Sequence, residues 1–495
     1  MKITLFIKNT VILVATSLIL RSAGIFFKVW LADRIGSEGI GLYQLIFSVY
    51  IFAAAFATSG ISTAVTRLVA EEEQNGRRSS EQIMRTAVYI TLLVAAVSTS
   101  LIFFLAEPIS IYILKETRAV LSLKILSLSL PFMALSSCAR GYFIAKRKPL
   151  QPSMVQLAEQ TVRIAVVMIC LYFTAHKDLT YCAAAVFFGD TVAEAVSFLI
   201  NWWLFILDKR KLSKGNYTKN VGKRILHIAV PITLGSYLSS FLHSTENILV
   251  PLQLSAFYGT KERGLELFGA IRGMALPILF FPASFLNSLS TMMIPEVSSA
   301  AASGNLRVVK ETVTKTVSIT LKVSIIISAI FMFNAHDLGT IIYHDSDVGQ
   351  IIAILSPIVP FMYLESVSAG MLKGLDCQIH MVTYNTIDSI LRIASAFTLL
   401  SVFGIKGYLG IMIISNCLTS TLSAKCLFKA ADIKLDFKRW IFTPLTLGLL
   451  FGVLSKLMIF GLHNLSVRCV LSVGLMCITC GSYLYFSCKP KYCVI

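Results

Sequence analysis

The stretch ILSLSLPFMALSSCARGYF, residues 125–143, returns 229 positions later as ILSPIVPFMYLESVSAGML, residues 354–372. The same ungapped register continues into the next segment. Over the 42 positions from 125 to 166, twelve residues match their partners: Ile125, Leu126, Ser127, Pro131, Phe132, Met133, Leu135, Ser137, Gly141, Arg163, Ile164 and Ala165. Self-similarity at a fixed long period marks a duplicated structural unit. Within it, LAEQTVRIAV (157–166) falls on TIDSILRIAS (386–395), which lays Glu159 over Asp388 and Arg163 over Arg392.

The surroundings of the repeat say what kind of unit was duplicated. Of 495 residues, 56% are hydrophobic and 14% charged, a balance beyond that of a water-soluble globule. A helix that spans a bilayer needs about 20 mainly apolar residues. Windows of that kind lie near 10–31, 40–64, 86–106, 119–143, 153–175, 180–206, 225–252, 267–293, 317–335, 349–372, 381–402, 405–428, 438–461 and 465–486. These fourteen windows leave no room for a soluble domain. They predict an all-α polytopic membrane protein with an N-terminal lobe over 1–222, a C-terminal lobe over 223–430, and two extra helices with a short tail over 431–495. Both copies of the repeat start on the same side, so the two six-helix lobes are expected to be related by a pseudo-twofold axis along the membrane normal.

Lysine and arginine stay on the cytoplasmic side of short loops. Alternate loops, counted from the N-terminal tail, carry 28 of these cations against 8 in the other set. Both termini and the loop KRKLSKGNYTKNVGKR (209–224) are therefore expected to be cytoplasmic. Most of the formal charge of +18 is this topological bias, and no nucleic-acid partner is implied. The first window continues past Arg21 to Leu31 without a small-residue cleavage site, and reads as a retained helix. The eleven cysteines sit in spans or on the cytoplasmic side, with only Cys182 and Cys469 near outer ends, so no disulfide framework is expected. The Cys477–Cys480 spacing reads as small-residue packing.

A charge near the bilayer centre costs several kcal/mol unless it meets a partner or water. Carboxylate and guanidinium four residues apart share a helix face, so Glu159–Arg163 and Asp388–Arg392 read either as equivalent clasps or as a lining of a water-filled cavity. Asp190 and Glu194 share a face in the sixth window, and Glu246 and Glu365 lie in the seventh and tenth; helix-to-helix bonding and coupling to H+ or Na+ both stay open for these acids. Lys124, Lys322 and Lys456 lie near window ends and are expected to snorkel to headgroups. Arg21, with Lys28 two turns on, joins Arg163, Arg272 and Arg392 as a set of cations for an anionic substrate, since guanidinium forks suit phosphate.

Arg21-Ser-Ala-Gly24, the run IGSEGIGLY (35–43) and the eighth-window run GMALPILFFPASFLNSLSTMMIPEVS (273–298) resemble the stage V sporulation protein B and polysaccharide-export branch of the multidrug/oligosaccharidyl-lipid/polysaccharide (MOP) exporter superfamily, over essentially the whole chain. That group is related to bacterial lipid II flippases, whose first helix carries an arginine followed by a cation two turns on. Arg21 and Lys28 fit this spacing, although arginine is commoner at the second position. The resemblance implies a V-shaped pair of lobes around a cationic cavity in the bacterial plasma membrane. It also implies export of a polyprenyl-pyrophosphate-linked saccharide or peptidoglycan precursor to the outer leaflet. Membrane lipids and a polymerase or synthase are the partners it suggests.

No P-loop, HExxH, zinc ligand set or complete GxGxxG is present, so no enzyme and no cofactor are expected. Two rival classes remain. A cation-coupled multidrug antiporter would share the fold, but mid-depth arginines would repel cationic drugs. A membrane glycosyltransferase or polymerase would need acids or histidines at an outer loop, where His336, Asp337, His344, Asp345 and Asp347 are the sole candidates and read as a solvated loop.

Overall fold

The chain, as a computed structural model, is described over residues 2–58, 60–74, 80–174, 178–209, 220–458 and 465–488. It forms eighteen α-helices: α1 (Lys2–Thr58), α2 (Ile61–Gln74), α3 (Ser80–Pro108), α4 (Ala119–Ser127), α5 (Ser129–Ala145), α6 (Leu150–Thr174), α7 (Leu179–Lys209), α8 (Val221–Tyr258), α9 (Lys261–Gly269), α10 (Leu276–Phe280), α11 (Ala283–Ala302), α12 (Leu306–Tyr343), α13 (Ser346–Leu355), α14 (Val359–Gly374), α15 (Gln378–Ser395), α16 (Ser401–Ala430), α17 (Thr443–Met458) and α18 (Leu465–Cys488). The described residues include no strand. Large apolar side chains such as Phe104 and Tyr172 are 77% and 79% exposed, as suits a protein whose solvent is hydrocarbon. The chain is an all-helical, multi-pass membrane protein.

Among the described residues, eleven helical stretches are long and apolar enough to cross a membrane, against fourteen windows in the sequence. Three places account for the difference. The stretch Val14–Glu72 runs for 59 residues and Ile379–Ala430 for 52, and each contains two of the windows. At 1.5 Å per residue a straight helix of 50 to 60 residues would measure roughly 75–90 Å, far more than the hydrocarbon thickness. Neither is straight: Gly36 (φ 69°, ψ 176°) interrupts α1 and Gly404 (φ 56°, ψ −133°) interrupts α16. The third place is the window 267–293, which is divided into α9, a π-helical turn over Ala270–Ala275, α10 and α11.

The repeated stretch shows how its own sequence bends it. Proline has no N–H to donate to the carbonyl four residues earlier, so Pro131 and Pro360 free the backbone at Ser127 and Ser356. At these places α4 ends and α5 begins, and α13 gives way through a 3-10 turn (Ser356–Ile358) to α14. Both serine hydroxyls turn back onto their own helices, Ser127 Oγ to the Lys124 carbonyl at 2.7 Å and Ser356 Oγ to the Ile352 carbonyl at 2.6 Å. In the window 267–293, Pro277 and Pro282 act likewise. Buried tyrosine hydroxyls donate to carbonyls there: Tyr363 to Leu279 at 2.5 Å and Tyr343 to Met274 at 3.4 Å. Non-helical backbone at membrane depth persists only where protein satisfies it.

By internal contacts the chain divides into two compact units, one of Met1–Phe27, Arg34–Ser255 and Gly264–Glu266, the other of Lys28–Asp33, Ala256–Arg263 and Leu267–Ile495. The repeat places a lobe boundary at residue 222, whereas most of α8 packs with the first unit. Val221, Ile225 and Ala229 are buried against Ile61, Val65 and Met84. Arg224 also pairs with Glu71 and Glu72 at 3.1 and 3.2 Å. In the second unit Trp440 enters a core with Val297, Val313 and Met371. The Asp337 carboxylate, 2% exposed, is bound by Lys456 of α17 at 2.8 Å and Arg468 of α18 at 2.6 Å. One acid thus holds both C-terminal helices to α12.

That arrangement corrects two sequence expectations. Lys456 does not snorkel, because Asp337 offers a nearer counter-charge, and Lys322 is only 7% exposed on α12; Lys124 stands 5.9 Å from the centre of the Phe103 ring. The outer segment expected to be a solvated loop is structured: Asp345 caps α13 by accepting from Asp347 N at 2.8 Å, and Asp347 pairs with Arg263 at 2.8 Å. Residues 210–219 of the 209–224 loop lie outside the described residues. Cys477 is an exposed thiol on α18, whereas the Cys480 side chain lies outside them.

Gly36 combines positive φ with open space around it, so replacing it tests the backbone alone. Gly36→Ala is expected to lower unfolding stability by about 1–3 kcal/mol. Gly24→Ala on the same helix, also with nothing within 4 Å, should be neutral or stabilising by up to about 1 kcal/mol. Thermal unfolding in detergent compares the two.

Candidate functional site

Arg163 is the centre of a charge network inside the first unit. It projects from α6, one turn beyond Glu159, and lies 3.0 Å from Glu159 Oε1. Its Nε is 2.7 Å from Asp190 Oδ1, and its Nη2 is 3.9 Å from Glu194 Oε1, both acids on α7. Nη1 donates to Gln160 Oε1 at 2.9 Å. A second guanidinium, that of Arg140 on α5, approaches Glu159 Oε2 at 4.0 Å. Three carboxylates therefore meet two arginines across three helices, with every side chain at least three-quarters buried. Glu159 Oε2, Asp190 Oδ2 and Glu194 Oε2 are buried without a hydrogen-bond donor.

The second unit holds the counterpart with different partners. Arg392 Nε lies 2.8 Å from Asp388 Oδ2 and donates to Ser415 Oγ on α16 at 2.5 Å, while the Ser415 hydroxyl donates in turn to Asp388. One turn further along α16, Thr419 Oγ1 lies 3.2 Å from Glu365 Oε2 on α14. The residue that meets the arginine from the next helix is Asp190 in the first unit and Ser415 in the second. Where the first unit neutralises its arginine with carboxylates from the next helix, the second bridges its pair with a hydroxyl. Both helical pairs form, one in each unit, and their neighbours differ.

The remaining sequence-selected residues lie on other elements. Arg272 lies in the π-helical turn, where its Nε donates to Tyr408 Oη at 3.0 Å; π turns inside helices often occur at functional positions. Glu246 is 2% exposed on α8. Arg21 is exposed on α1, and Lys28, seven residues on, is half-buried. Sequence reasoning missed Arg140, Ser415, Thr419 and Tyr408. Arg140 lies within the repeated stretch itself, one residue before Gly141, whereas nothing in their local pattern marks Ser415, Thr419 and Tyr408.

The geometry orders the cost of mutation in the first network. Without Glu159, Arg163 keeps Asp190 and Glu194, so Glu159→Gln should destabilise by about 1 kcal/mol. Without Arg163, carboxylates buried in hydrocarbon lose their nearest counter-charge, and Arg163→Gln should cost about 3 kcal/mol or more. Thermal unfolding of the purified variants measures both; equal losses would remove Arg163 from the centre of the network.

Two family models match the sequence: the polysaccharide biosynthesis protein family over residues 6–300, and the MatE family over 270–398. Stage V sporulation protein B of Bacillus subtilis (strain 168) is 24% identical over 447 residues, covering 88% of this chain and 86% of that protein. Lipid II flippase MurJ of the same organism is 20% identical over 430 residues, covering 78% and 76%. Among solved structures, a lipid II flippase MurJ in an inward closed conformation superposes with a TM-score of 0.73 at 14% identity, over 95% of this chain and 98% of that one. A multidrug resistance MATE family transporter in an inward-facing conformation gives 0.66 at 12% identity, over 84% and 96%. With a model matched over more than half its length and the same fold in these transporters, the chain belongs to the polysaccharide biosynthesis protein family, within the MOP superfamily.

Proposed function

We propose that the chain is an alternating-access flippase that moves a polyprenyl-pyrophosphate-linked saccharide or peptidoglycan precursor from the inner to the outer leaflet of the bacterial cell membrane. The observation that carries this reading is an arginine placed mid-helix and exposed, Arg21 on α1, in a chain matched over 95% of its length by a lipid II flippase fold. A pyrophosphate headgroup does not cross about 30 Å of hydrocarbon unaided. A guanidinium replaces part of its hydration with paired, charge-assisted hydrogen bonds. Lys28, two turns along α1, adds a second cation. No bond is made or broken, so the protein acts as a transporter and not as an enzyme. A role in sporulation draws support from the stage V relative.

This reading gives the other arginines a different role. Arg163 and Arg392 pair with acids of their own units and Arg272 meets Tyr408; in this reading these three position helices, and Arg21 and Lys28 are assigned the phosphates for their place on α1. The donor-free oxygens of Glu159, Asp190 and Glu194 are where a coupling H+ or Na+ would act. A cation-coupled multidrug antiporter is the second reading, favoured by the MatE match over 270–398; drug resistance conferred by expression would support it.

We also propose fourteen crossings with both termini cytoplasmic; support comes from the glycine breaks that divide two of the eleven apolar stretches between paired apolar windows, and window 267–293 is read as a crossing made of short helices. Cysteine placed at Ser346 should react with an impermeant reagent added outside the cell, and cysteine placed at Ser213 should not. The reverse result would invert the topology. In a headgroup-translocation assay, Arg21→Ala should lower the rate by at least about tenfold at normal protein levels, with Arg21→Lys retaining part of it. Full activity of Arg21→Ala would remove Arg21 from the site.

A further inference from the structure

Away from the two arginine networks, one ion pair recurs in both units at the same place with its signs exchanged. In the first unit Arg118, at the start of α4, lies 2.8 Å from Glu38, and its Nε and Nη2 hold Glu116 at 2.7 and 2.9 Å. The 229-residue register lays Arg118 on Asp347, in the first turn of α13, and Asp347 pairs with Arg263 of α9 at 2.8 Å. The backbone leading into the two places is alike, since Lys115 (φ 54°) falls on His344 (φ 53°) and both are left-handed. The cation therefore sits beside the turn in the first unit and on the facing helix in the second. The facing residues are offset as well: Glu38 falls on Leu267, four residues or about one helical turn from Arg263. A place that keeps its ion pair while the signs exchange and one partner moves by a turn is held by what the pair does, not by inheritance of the residues.

Each pair follows a glycine of the same kind. Gly36 (φ 69°) stands two residues before Glu38 and Gly259 (φ 79°) four before Arg263, and a side chain at either would meet nothing within 4 Å. Glycine changes its dihedrals at little steric cost, and open space leaves neither position fixed by its neighbours. A boundary between the two compact units falls shortly before each glycine, at Asp33–Arg34 and at Ser255–Ala256. We propose that Glu38–Arg118 and Arg263–Asp347 are matched anchors, one in each unit, that brace the helix after the glycine against the turn before α4 or α13, and that Gly36 and Gly259 are the joints about which the preceding helices turn. Those helices are the first part of α1 and α8, and the former carries Arg21 and Lys28. The four paired side chains are 22% to 39% exposed, a setting in which one ion pair contributes little to global stability. The anchors thus steady a helix end and do not hold the fold together. This inference is separate from the transport reading and takes from the proposed topology only the side, the outer one.

The test is hydrogen–deuterium exchange by mass spectrometry on the full-length protein in lipid nanodiscs, which reads the backbone without any transport. Glu38→Gln leaves the Arg118–Glu116 contact in place. It should raise exchange about threefold or more in peptides covering 37–45, while peptides covering 22–33 keep their rate. Asp347→Asn should have the same effect on 261–269 and leave 246–256 unchanged. The double change Arg263→Asp with Asp347→Arg restores opposite charges in the other order, and should return 261–269 to the rate of the unaltered protein. Unchanged exchange in 37–45 and 261–269 in the single variants would overturn the proposal. Equal rises on both sides of the glycines would remove the joints, and a double variant no slower to exchange than Asp347→Asn would show that charge pairing does not brace the helix. None of these outcomes bears on Arg21 as a substrate contact, whose test is translocation.

Discussion

A guanidinium buried among helices in hydrocarbon has to be met by charge from the same bundle, and in the first unit Arg163 is met by Glu159, Asp190 and Glu194. This requirement joins α6 to α7 and, through Arg140 and Glu159, both to α5. Apolar side chains pack against lipid tails about as well as against one another, so helix association in a membrane draws on packing and polar contacts more than on burial. The Asp337 carboxylate between Lys456 and Arg468 joins α17 and α18 to α12 by the same rule. Where the charges fall therefore decides which helices belong together.

The backbone obeys a parallel constraint. Prolines divide α4 from α5 and α13 from α14 at matching places in the repeat, and beside each break a serine hydroxyl turns back onto its own helix, to the Lys124 and Ile352 carbonyls. Where the window 267–293 is broken, buried tyrosines donate to its carbonyls. The hydrocarbon offers no water to satisfy a backbone opened elsewhere.

The two arginine networks show how a duplicated unit divides its tasks. Both keep an acid and an arginine four residues apart, but only the first surrounds the arginine with further carboxylates, three of whose oxygens lack a donor. The second closes its pair with Ser415 and leaves Glu365 to Thr419. The first unit thus carries an excess of acid oxygens around its arginine and the second a hydroxyl-bridged pair.

The sequence by itself determined the membrane environment, the approximate position of every apolar segment, the duplication and the helical pairs Glu159–Arg163 and Asp388–Arg392. Those properties are local, set by runs of apolar residues and by the four-residue spacing of one helix face, and they are legible without knowing what lies opposite. What lies opposite was decided only by the tertiary structure. Asp190 and Glu194 gather on Arg163, Ser415 bridges the second pair, and Asp337 binds two helices more than a hundred residues away, because those contacts depend on how helices rotate and pack. The grouping of α8 with the first unit is of the same kind: the repeat counts it as a seventh span, but Val221, Ile225 and Ala229 face a core built by the helices before it. Spacing along one helix fixes which residues share a face, while the neighbour that face meets is set by packing between segments far apart in the chain.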